Sequence, residues 1–540
     1  MINGARRLGA PPTMTTMIRE PCNEGVIRAG PSTLPCPKSS AGWILAATIL
    51  ASSMAFIDGT AVNVALPALQ RDLRATVADM QWVIEAYSLL LAALLLVGGS
   101  MGDRYGRRKV FIIGVAIFAL ASAWCGFAPD IRQLIVARAV QGLGAALLIP
   151  GSLAIISSSF PEEERGRAIG TWSGFSAITA AIGPVLGGWM IEQISWRAVF
   201  FINLPLAILI VVISFWHVPE SSNDEKGRLD WLGAILTALG LGTLVYGLIE
   251  SSELGFAHPA VLSTLAAAVV TLAIFVVVEA RVRNPMLPFT LFRSRTFTGA
   301  NLLTLLLYGA LGGTLFFLPL NLIQVQRYSA TAAGAALLPL ILIIFLLSRW
   351  SGGLVQRCGA KIPLIIGPLI AAAGFGLSVL PAVGGSYWRT FFPAVVVLGI
   401  GMAVSVAPLT TTVMNSVAPN RVGIASGVNN AVSRTAGLLA IAVLGIVMLQ
   451  TFNRSLDARL AGLNVAPLVQ QSLNEQRTKL AGAQLPESIE PHTRALLVDA
   501  INQSFVDGFR RVMLVGAALA LGSAITALVL IDGTGKTRSA

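Results

Sequence analysis

Charged residues are scarce in this 540-residue chain: Asp, Glu, Lys and Arg make up 12%, where a soluble domain averages about 25%. With 55% of residues apolar and a mean hydropathy of +0.75, too little polar side chain exists to coat a globule of this size. A soluble enzyme is excluded, and lipid is the natural solvent. Cysteine is equally sparse. Cys22, Cys36, Cys125 and Cys358 show no CxxC spacing, so neither a disulfide framework nor a zinc site is indicated. The three histidines, His217, His258 and His492, fall in or beside predicted loops without partners for a metal or catalytic cluster, so no metal and no cofactor is expected. Acidic residues number 26 against 38 basic ones, a net charge of +12. The arginines sit in short breaks between apolar blocks rather than in a basic, aromatic-interleaved stripe, so the excess concerns membrane topology and not nucleic acid. A nucleotide module is missing too. Gly533-Thr-Gly535-Lys536-Thr537 has Leu530 where a phosphate-binding loop needs its first glycine, and Gly142-Leu-Gly144 lies in an apolar span with no preceding strand. ATP therefore does not drive this chain directly, whereas an ion gradient can.

What the chain has in abundance is apolar spans of about 20 residues, the length that crosses about 30 Å of hydrocarbon. Fourteen are predicted: 43–66, 82–100, 110–128, 133–157, 168–191, 199–218, 231–250, 260–278, 298–322, 334–350, 362–380, 390–415, 424–449 and 512–531. The breaks are short, except for a polar stretch at 450–508 that reads as a folded or mobile extramembrane loop. Residues 1–41 carry Pro, Gly and basic residues without the apolar core of a secretory signal and read as a disordered cytoplasmic tail; Met14 and Met17 leave the true start open. With the N-terminus inside, inner segments hold 23 Lys and Arg. The short outer loops hold six: Arg71, Arg74, Arg132, Arg197, Arg327 and Arg389. Both termini, including 532–540, are thus expected in the cytoplasm.

The sequence also repeats. An offset of 253 residues lays Gly99-Ser-Met-Gly-Asp103-Arg104-Tyr-Gly106-Arg107-Arg108 over Gly352-Gly-Leu-Val-Gln356-Arg357-Cys-Gly359-Ala360-Lys361, and an offset of 257 lays Gly142-Leu-Gly144 over Gly399-Ile-Gly401. The first match follows spans 2 and 10, eight apart. The simplest arrangement is two six-span halves, 42–218 and 298–531, with two spans inserted at 219–297, and parallel six-span repeats are how one large transporter class is built.

On these residues the chain resembles the major facilitator superfamily, and within it the fourteen-helix drug:proton antiporter family of multidrug efflux type. Gly99 to Arg108 resembles its motif A, Arg138-Ala-Val-Gln141-Gly142-Leu-Gly144 its motif B, and Gly183-Pro184-Val-Leu-Gly187-Gly188 its motif C, associated with antiporters. Ile57-Asp58 followed by Asn63-Val-Ala-Leu-Pro67 resembles its span 1 signature. The resemblance implies an all-α integral membrane protein with the major facilitator fold. It implies that Arg138 serves proton coupling, and that Asp103 and Arg104 latch the two halves in the outward-open state. Gln356 stands where the second copy would have the acid, so any latch there is weaker.

Physical chemistry gives these residues work. Asp58, deep in span 1, costs on the order of 2.5–3.5 kcal/mol as a charged group by insertion scales, so it is expected to face a water-filled cavity or to be protonated part of the time. The bland alternative is a carboxylate hydrogen-bonded to neighbouring polar side chains. Glu85 is predicted near the outer end of span 2, where snorkelling competes with a proton or substrate role. Arg138 stays charged and must meet a carboxylate, carbonyls or water, with Gln141 one turn on. Arg434, near Asn429 and Asn430, has no acid in its spans, which leaves packing or substrate contact open. Positive-inside retention accounts for Arg107, Arg108 and Lys109 but not for Asp103. In motif C, Gly183 and Gly187, like Gly170 and Gly174, permit close helix contact and Pro184 bends the span, with generic packing as the alternative.

The expectation is a proton-coupled exporter of small amphipathic or lipophilic molecules, working by alternating access as a monomer in the bacterial inner membrane, and not an enzyme. A proton symporter or uniporter importing a metabolite, or a non-transporting membrane sensor, are the rivals.

Overall fold

The structure is a computed structural model that describes residues 38–160, 162–221, 230–282, 285, 287–417, 422–463, 467–486 and 489–532. The expected tails, with Cys22, Cys36, Met14, Met17 and the Gly533–Thr537 run, lie outside the described residues, apart from 38–41 and Asp532. Among the described residues there is no strand, and fourteen helices have 15 or more residues. In chain order these are α1 (Lys38–Asp72), α2 (Val77–Tyr105), α3 (Arg107–Phe127), α4 (Ile131–Ser159), α5 (Glu162–Gln193), α6 (Asn203–His217), α7 (Trp231–Leu254) and α8 (Pro259–Arg281). The second run is α9 (Arg295–Leu320), α10 (Leu338–Gly352), α11 (Lys361–Leu377), α12 (Phe391–Asn415), α13 (Val422–Leu460) and α14 (Pro491–Leu530).

These helices start where the sequence supplies caps. Thr76 accepts from the Asp79 amide while Asp79 accepts from the Thr76 amide at the head of α2. Asp130 caps α4 and Ser294 caps α9 through their third residues. Beyond the caps the backbone bonds within each helix, as lipid requires. Large apolar side chains such as Leu120, Phe127, Ile208 and Val269 remain exposed on the outside of the bundle.

Among the described residues, twelve helices are long and apolar enough to cross a membrane. The expectation of fourteen spans is not met by that measure. Spans expected at 168–191 and 362–380 fall on α5, whose first turns carry three glutamates and two arginines, and on α11, an apolar helix of only 17 residues. Of the two readings left open for 450–508, folded or mobile, the described residues take the folded one. α13 runs for 39 residues and α14 for 40, about 60 Å each at about 1.5 Å per residue and so longer than the hydrocarbon is thick. Their extensions are joined by helix Pro467–Glu475 and the turn Arg477–Gly482, which buries Leu480. Buried Leu456, Leu473, Leu497 and Phe505 and the Arg459–Asp507 ion pair at 2.8 Å hold this cap together. The polar residues here form the outer surface of long helices.

Packing repeats. In the first group α2 lies against α4, α3 against α4, α1 against α5 and α6, and α3 against α6. In the second, α10 lies against α12, α11 against α12, α9 against α13 and α14, and α11 against α14. α7 rests on both α2 and α13, while α8 leans on α7 with only 11% of its most apolar stretch buried. One apolar core stays within α1–α6; a second joins both groups at the end carrying the 461–490 cap.

Candidate functional site

Three side chains from two helices, α4 and α6, close around one carboxylate. Asp58 on α1 is fully buried, and its Oδ2 accepts from Arg138 Nη1 at 2.6 Å. Its Oδ1 accepts from Gln141 Nε2 at 2.9 Å and from Asn203 Nδ2 at 3.3 Å. Arg138 in turn donates to Gln141 Oε1 at 2.6 Å and, through Nε, to the Val83 carbonyl at 3.0 Å, and its guanidinium lies 4.4 Å from the Tyr87 ring centre. Asn203 also donates to Ser122, whose hydroxyl donates to the Phe200 carbonyl. A Cβ on Gly142 would run into the Tyr87 carbonyl, so that glycine lets α4 approach α2 closely enough for Arg138 to reach Val83.

The sequence brought Asp58, Arg138 and Gln141 forward, and the structure joins them. It does not open Asp58 to a water-filled cavity: the carboxylate is enclosed, with both oxygens hydrogen-bonded. A buried pair with its charges matched and hydrogen-bonded is what the low dielectric tolerates, and removing one partner leaves a costly uncompensated charge. Asn203 and Ser122 were not expected, being uncharged residues of a kind that spans carry freely.

Glu85 lies elsewhere and is not at the interface. It is fully buried, and neither oxygen has a hydrogen-bond partner among the described residues. Because α2 starts at Val77, Glu85 sits more than two turns inside. It shares a face with Gln81, which donates to the Ile441 carbonyl on α13, and with Leu89, which packs with Leu241 of α7 and Ala442 of α13. Snorkelling is therefore replaced by enclosure between α2, α7 and α13.

A cavity of about 400 Å³ opens between Phe56 of α1 and the second group, lined by Tyr308, Thr410, Asn429, Asn430, Ser433 and Arg434 among others. Asn429 is fixed by donating to Thr304 at 2.7 Å and Asn301 at 3.2 Å. Arg434 has no ion-pair or hydrogen-bond partner among the described residues, and its charge acts on Tyr87, the ring beneath Arg138. A second cavity, about 750 Å³, lies under the 461–490 cap.

Where α2 turns into α3, Asp103 in the last turn of α2 pairs at 2.7 Å with Arg107, the first residue of α3, and Arg104 is exposed over Tyr105. Arg107 thus has an ionic partner, where positive-inside retention alone had been expected to account for it. Gly99 packs loosely against Pro150, and Gly106 adopts φ +107°. The unexpected participant is Glu220, which accepts from the amides of Arg108 at 3.1 Å and Lys109 at 3.2 Å and so caps the head of α3. A carboxylate at a helix N-terminus is electrostatically favoured. Gln356 falls outside the described side chains.

Gly183 and Gly187 abut Thr60 and Ala61 on α1, whereas Gly188 abuts Ala330, and the Pro184 carbonyl abuts Gly334. The run therefore packs α5 against its own group and against helix Ala330–Ala335 of the other. One turn on, Glu192 accepts from the Thr331 amide at 2.7 Å. The surroundings of Gly170 and Gly174 fall outside the described residues. Four hydrogen bonds between described residues join the two groups: Gln70 to the Lys479 carbonyl, Gln324 to Gln70, Gln81 to the Ile441 carbonyl, and the Thr331 amide to Glu192. All four lie toward the end that carries the 461–490 cap.

A family model described as the Major Facilitator Superfamily matches residues 48–441. The chain is 33% identical over 485 residues to the multidrug resistance protein Stp of Mycobacterium tuberculosis, covering 88% of this chain and 89% of that one. It is 32% identical over 494 residues to the tetracenomycin C resistance and export protein of Streptomyces glaucescens, with 90% of each covered. A bacterial homologue of the human lysosomal transporter Spinster, solved in an inward-facing and unoccupied conformation, superposes with a TM-score of 0.64 at 18% identity, covering 91% of this chain and 98% of that one.

Proposed function

The chain belongs to the Major Facilitator Superfamily, and from that premise we propose that it exports small amphipathic molecules in exchange for protons, by alternating access between two six-helix halves, α1–α6 and α9–α14. In this reading α5 and α11 cross the membrane with the other twelve helices, giving fourteen spans with α7 and α8 inserted. Its curated relatives named for multidrug resistance and for antibiotic resistance and export support efflux rather than import.

The observation that carries the proposal is the enclosed Asp58–Arg138 pair. A proton on Asp58 removes its charge and releases Arg138, which keeps only Gln141 Oε1 and the Val83 carbonyl. One buried charge is then uncompensated, and the site favours a different packing of α1 against α4. Each proton entering through the full potential gains about 2.3 kcal/mol per 100 mV, enough for a substrate gradient of roughly 50-fold. The bonds between groups at the cap end describe a transporter closed on that side. The motif A loop, with Asp103 held by Arg107, is free to engage the other half when the halves rock. The cap is extracellular and both termini are cytoplasmic.

The test is uptake of a drug panel by everted bacterial vesicles that carry the chain, with a pH gradient imposed and then collapsed by an ionophore. Accumulation that survives collapse of the gradient would refute proton coupling. Accumulation of none of the panel, with the protein folded, would refute export.

A further inference from the structure

We propose that the cavity around Arg434 is built for an acidic amphipathic substrate, one carrying a carboxylate, sulfonate or ionised enol, and not for organic cations. The proposal names the substrate class of the exporter read above and rests on that reading.

Among the described residues, the only charged side chain lining the cavity is Arg434. Its helix face adds neutral donors: Ser426, Asn430 and Arg434 follow at i, i+4 and i+8, and Ser433 lies beside them. No acid reaches it from the packed helices. Asp58 of α1 is spent on Arg138, Gln141 and Asn203; α9 and α12 contain no Asp or Glu; and in α13 the first acid is Asp457, more than twenty residues on. Glu85, the remaining buried carboxylate in this region, is not among the lining residues. A guanidinium at membrane depth without a counter-ion is costly and is retained where a ligand supplies the negative charge. Asn429, pinned through its amide group by Thr304 and Asn301, keeps its position beside that charge.

The second cavity points the same way independently. Arg71, Arg74, Arg327, Lys479 and Arg494 line it, no acidic residue does, and none of the five has an ion pair among the described residues. Its floor is the Gln70–Gln324–Lys479 hydrogen-bonded seam. A molecule leaving the Arg434 cavity through this seam meets positive charge again. A lane of one sign raises the local concentration of the opposite ion and repels cations.

The test uses two dyes of one ring system, fluorescein, an anion, and the cationic methyl ester of rhodamine. Each is titrated by fluorescence anisotropy against the purified full chain in lipid nanodiscs. Fluorescein is expected to bind, and Arg434→Gln to weaken it by roughly 10- to 100-fold, the worth of one charge-assisted contact. Arg434→Lys recovers part of the loss. The rhodamine ester is expected to bind weakly and to ignore Arg434→Gln. Asn430→Asp, which adds an acid to the same wall, is expected to invert the preference and guards against a misfolded Arg434→Gln. Tighter binding of the rhodamine ester by the native chain, or fluorescein binding indifferent to Arg434→Gln in folded protein, overturns the inference. Everted-vesicle uptake separates the two readings. Fluorescein bound through Arg434 but not transported leaves this site standing and fails the exporter. Rhodamine ester transported while fluorescein is neither bound nor moved fails this site and leaves the exporter.

Discussion

Arg138 reaches Asp58 from 80 residues away and meets it at 2.6 Å with both side chains out of solvent. The pair joins α1 to α4, and Asn203 of α6 leans on the same carboxylate. A protonation event at one oxygen therefore alters the contacts of three helices of the first half at once.

Asp58→Asn preserves size and most hydrogen bonding but cannot ionise. It is expected to abolish uphill efflux driven by a pH gradient while substrate exchange across proteoliposomes survives. Because Arg138 then lacks a counter-ion, the melting temperature should also fall, breaking one side of a buried pair costing about 3–5 kcal/mol. Undiminished pH-driven efflux would move the proton site elsewhere. Arg138→Lys keeps the charge yet cannot address Asp58, Gln141 and the Val83 carbonyl together, and a comparable loss of efflux is expected there.

At the head of α3, Asp103→Asn should leave stability within about 1 kcal/mol, since its pair with Arg107 is exposed on the acid side. Turnover should slow if the loop latches the halves. Glu220→Ala should do the reverse, costing about 1 kcal/mol of stability by removing the helix cap. Thermal unfolding and transport rates measured at matched expression separate the two roles, and equal effects in both assays would dissolve the distinction.

The legible part of the site was its charges. Asp58 and Arg138 stand out in apolar runs because each must be compensated, and Gln141 lies one turn from Arg138. Asn203 and Ser122 carry no such signal, and Glu220 was hidden in a loop where acids are common. Glu85 was misplaced for a different reason: the apolar run begins near residue 82, but the Thr76–Asp79 capping box starts the helix five residues earlier. Its burial comes from α7 and α13, which no local reading of α2 reveals. The helix repeat was visible because glycine-rich turns recur at a fixed offset; the extensions of α13 and α14 were not, since polar faces beyond the bilayer look like loop.

Glu192 supplies a pH-dependent contact between the halves. Slight burial disfavours its charged form, but the hydrogen bond from the Thr331 amide and the neighbouring polar groups of Ser329 and Ala330 outweigh this and hold the carboxyl below its ordinary value. A depressed carboxyl stabilises fully above the ordinary value, about 4.3, and loses its contribution as pH falls through the depressed one. The seam at the cap end should thus hold from neutrality to about pH 5 and loosen in stronger acid. A spin-label pair across α5 and α10 would report the widening. Glu192→Gln should remove the pH dependence, and an unchanged profile in that variant would assign it to another group.

Orientation is decided with cysteines the chain already offers. Cys358 is exposed at the end of the short helix Leu354–Cys358 that precedes α11, and Cys125 is buried. With the other native cysteines replaced, Cys358 should resist an impermeant thiol reagent in intact cells and react once the cells are opened. A single cysteine at Asn474, exposed on the cap, should react in intact cells. The reverse pattern would invert the topology and turn the exporter into an importer on the same geometry.

The last prediction concerns Glu85, a carboxylate enclosed by α2, α7 and α13 with neither oxygen partnered among the described residues. An unsatisfied buried polar group costs about 1–3 kcal/mol, and a similar-sized apolar side chain removes that cost. Glu85→Leu should therefore raise thermal stability by an amount of that order. A residue retained at such a cost at a seam between halves is expected to act when the seam opens and water reaches it, so Glu85→Leu should also slow proton-driven transport. Glu85→Gln, still polar, should gain less stability and show the same transport defect. A more stable Glu85→Leu protein with native transport would reduce Glu85 to a tolerated packing residue and leave Asp58 as the sole proton carrier proposed for the first half.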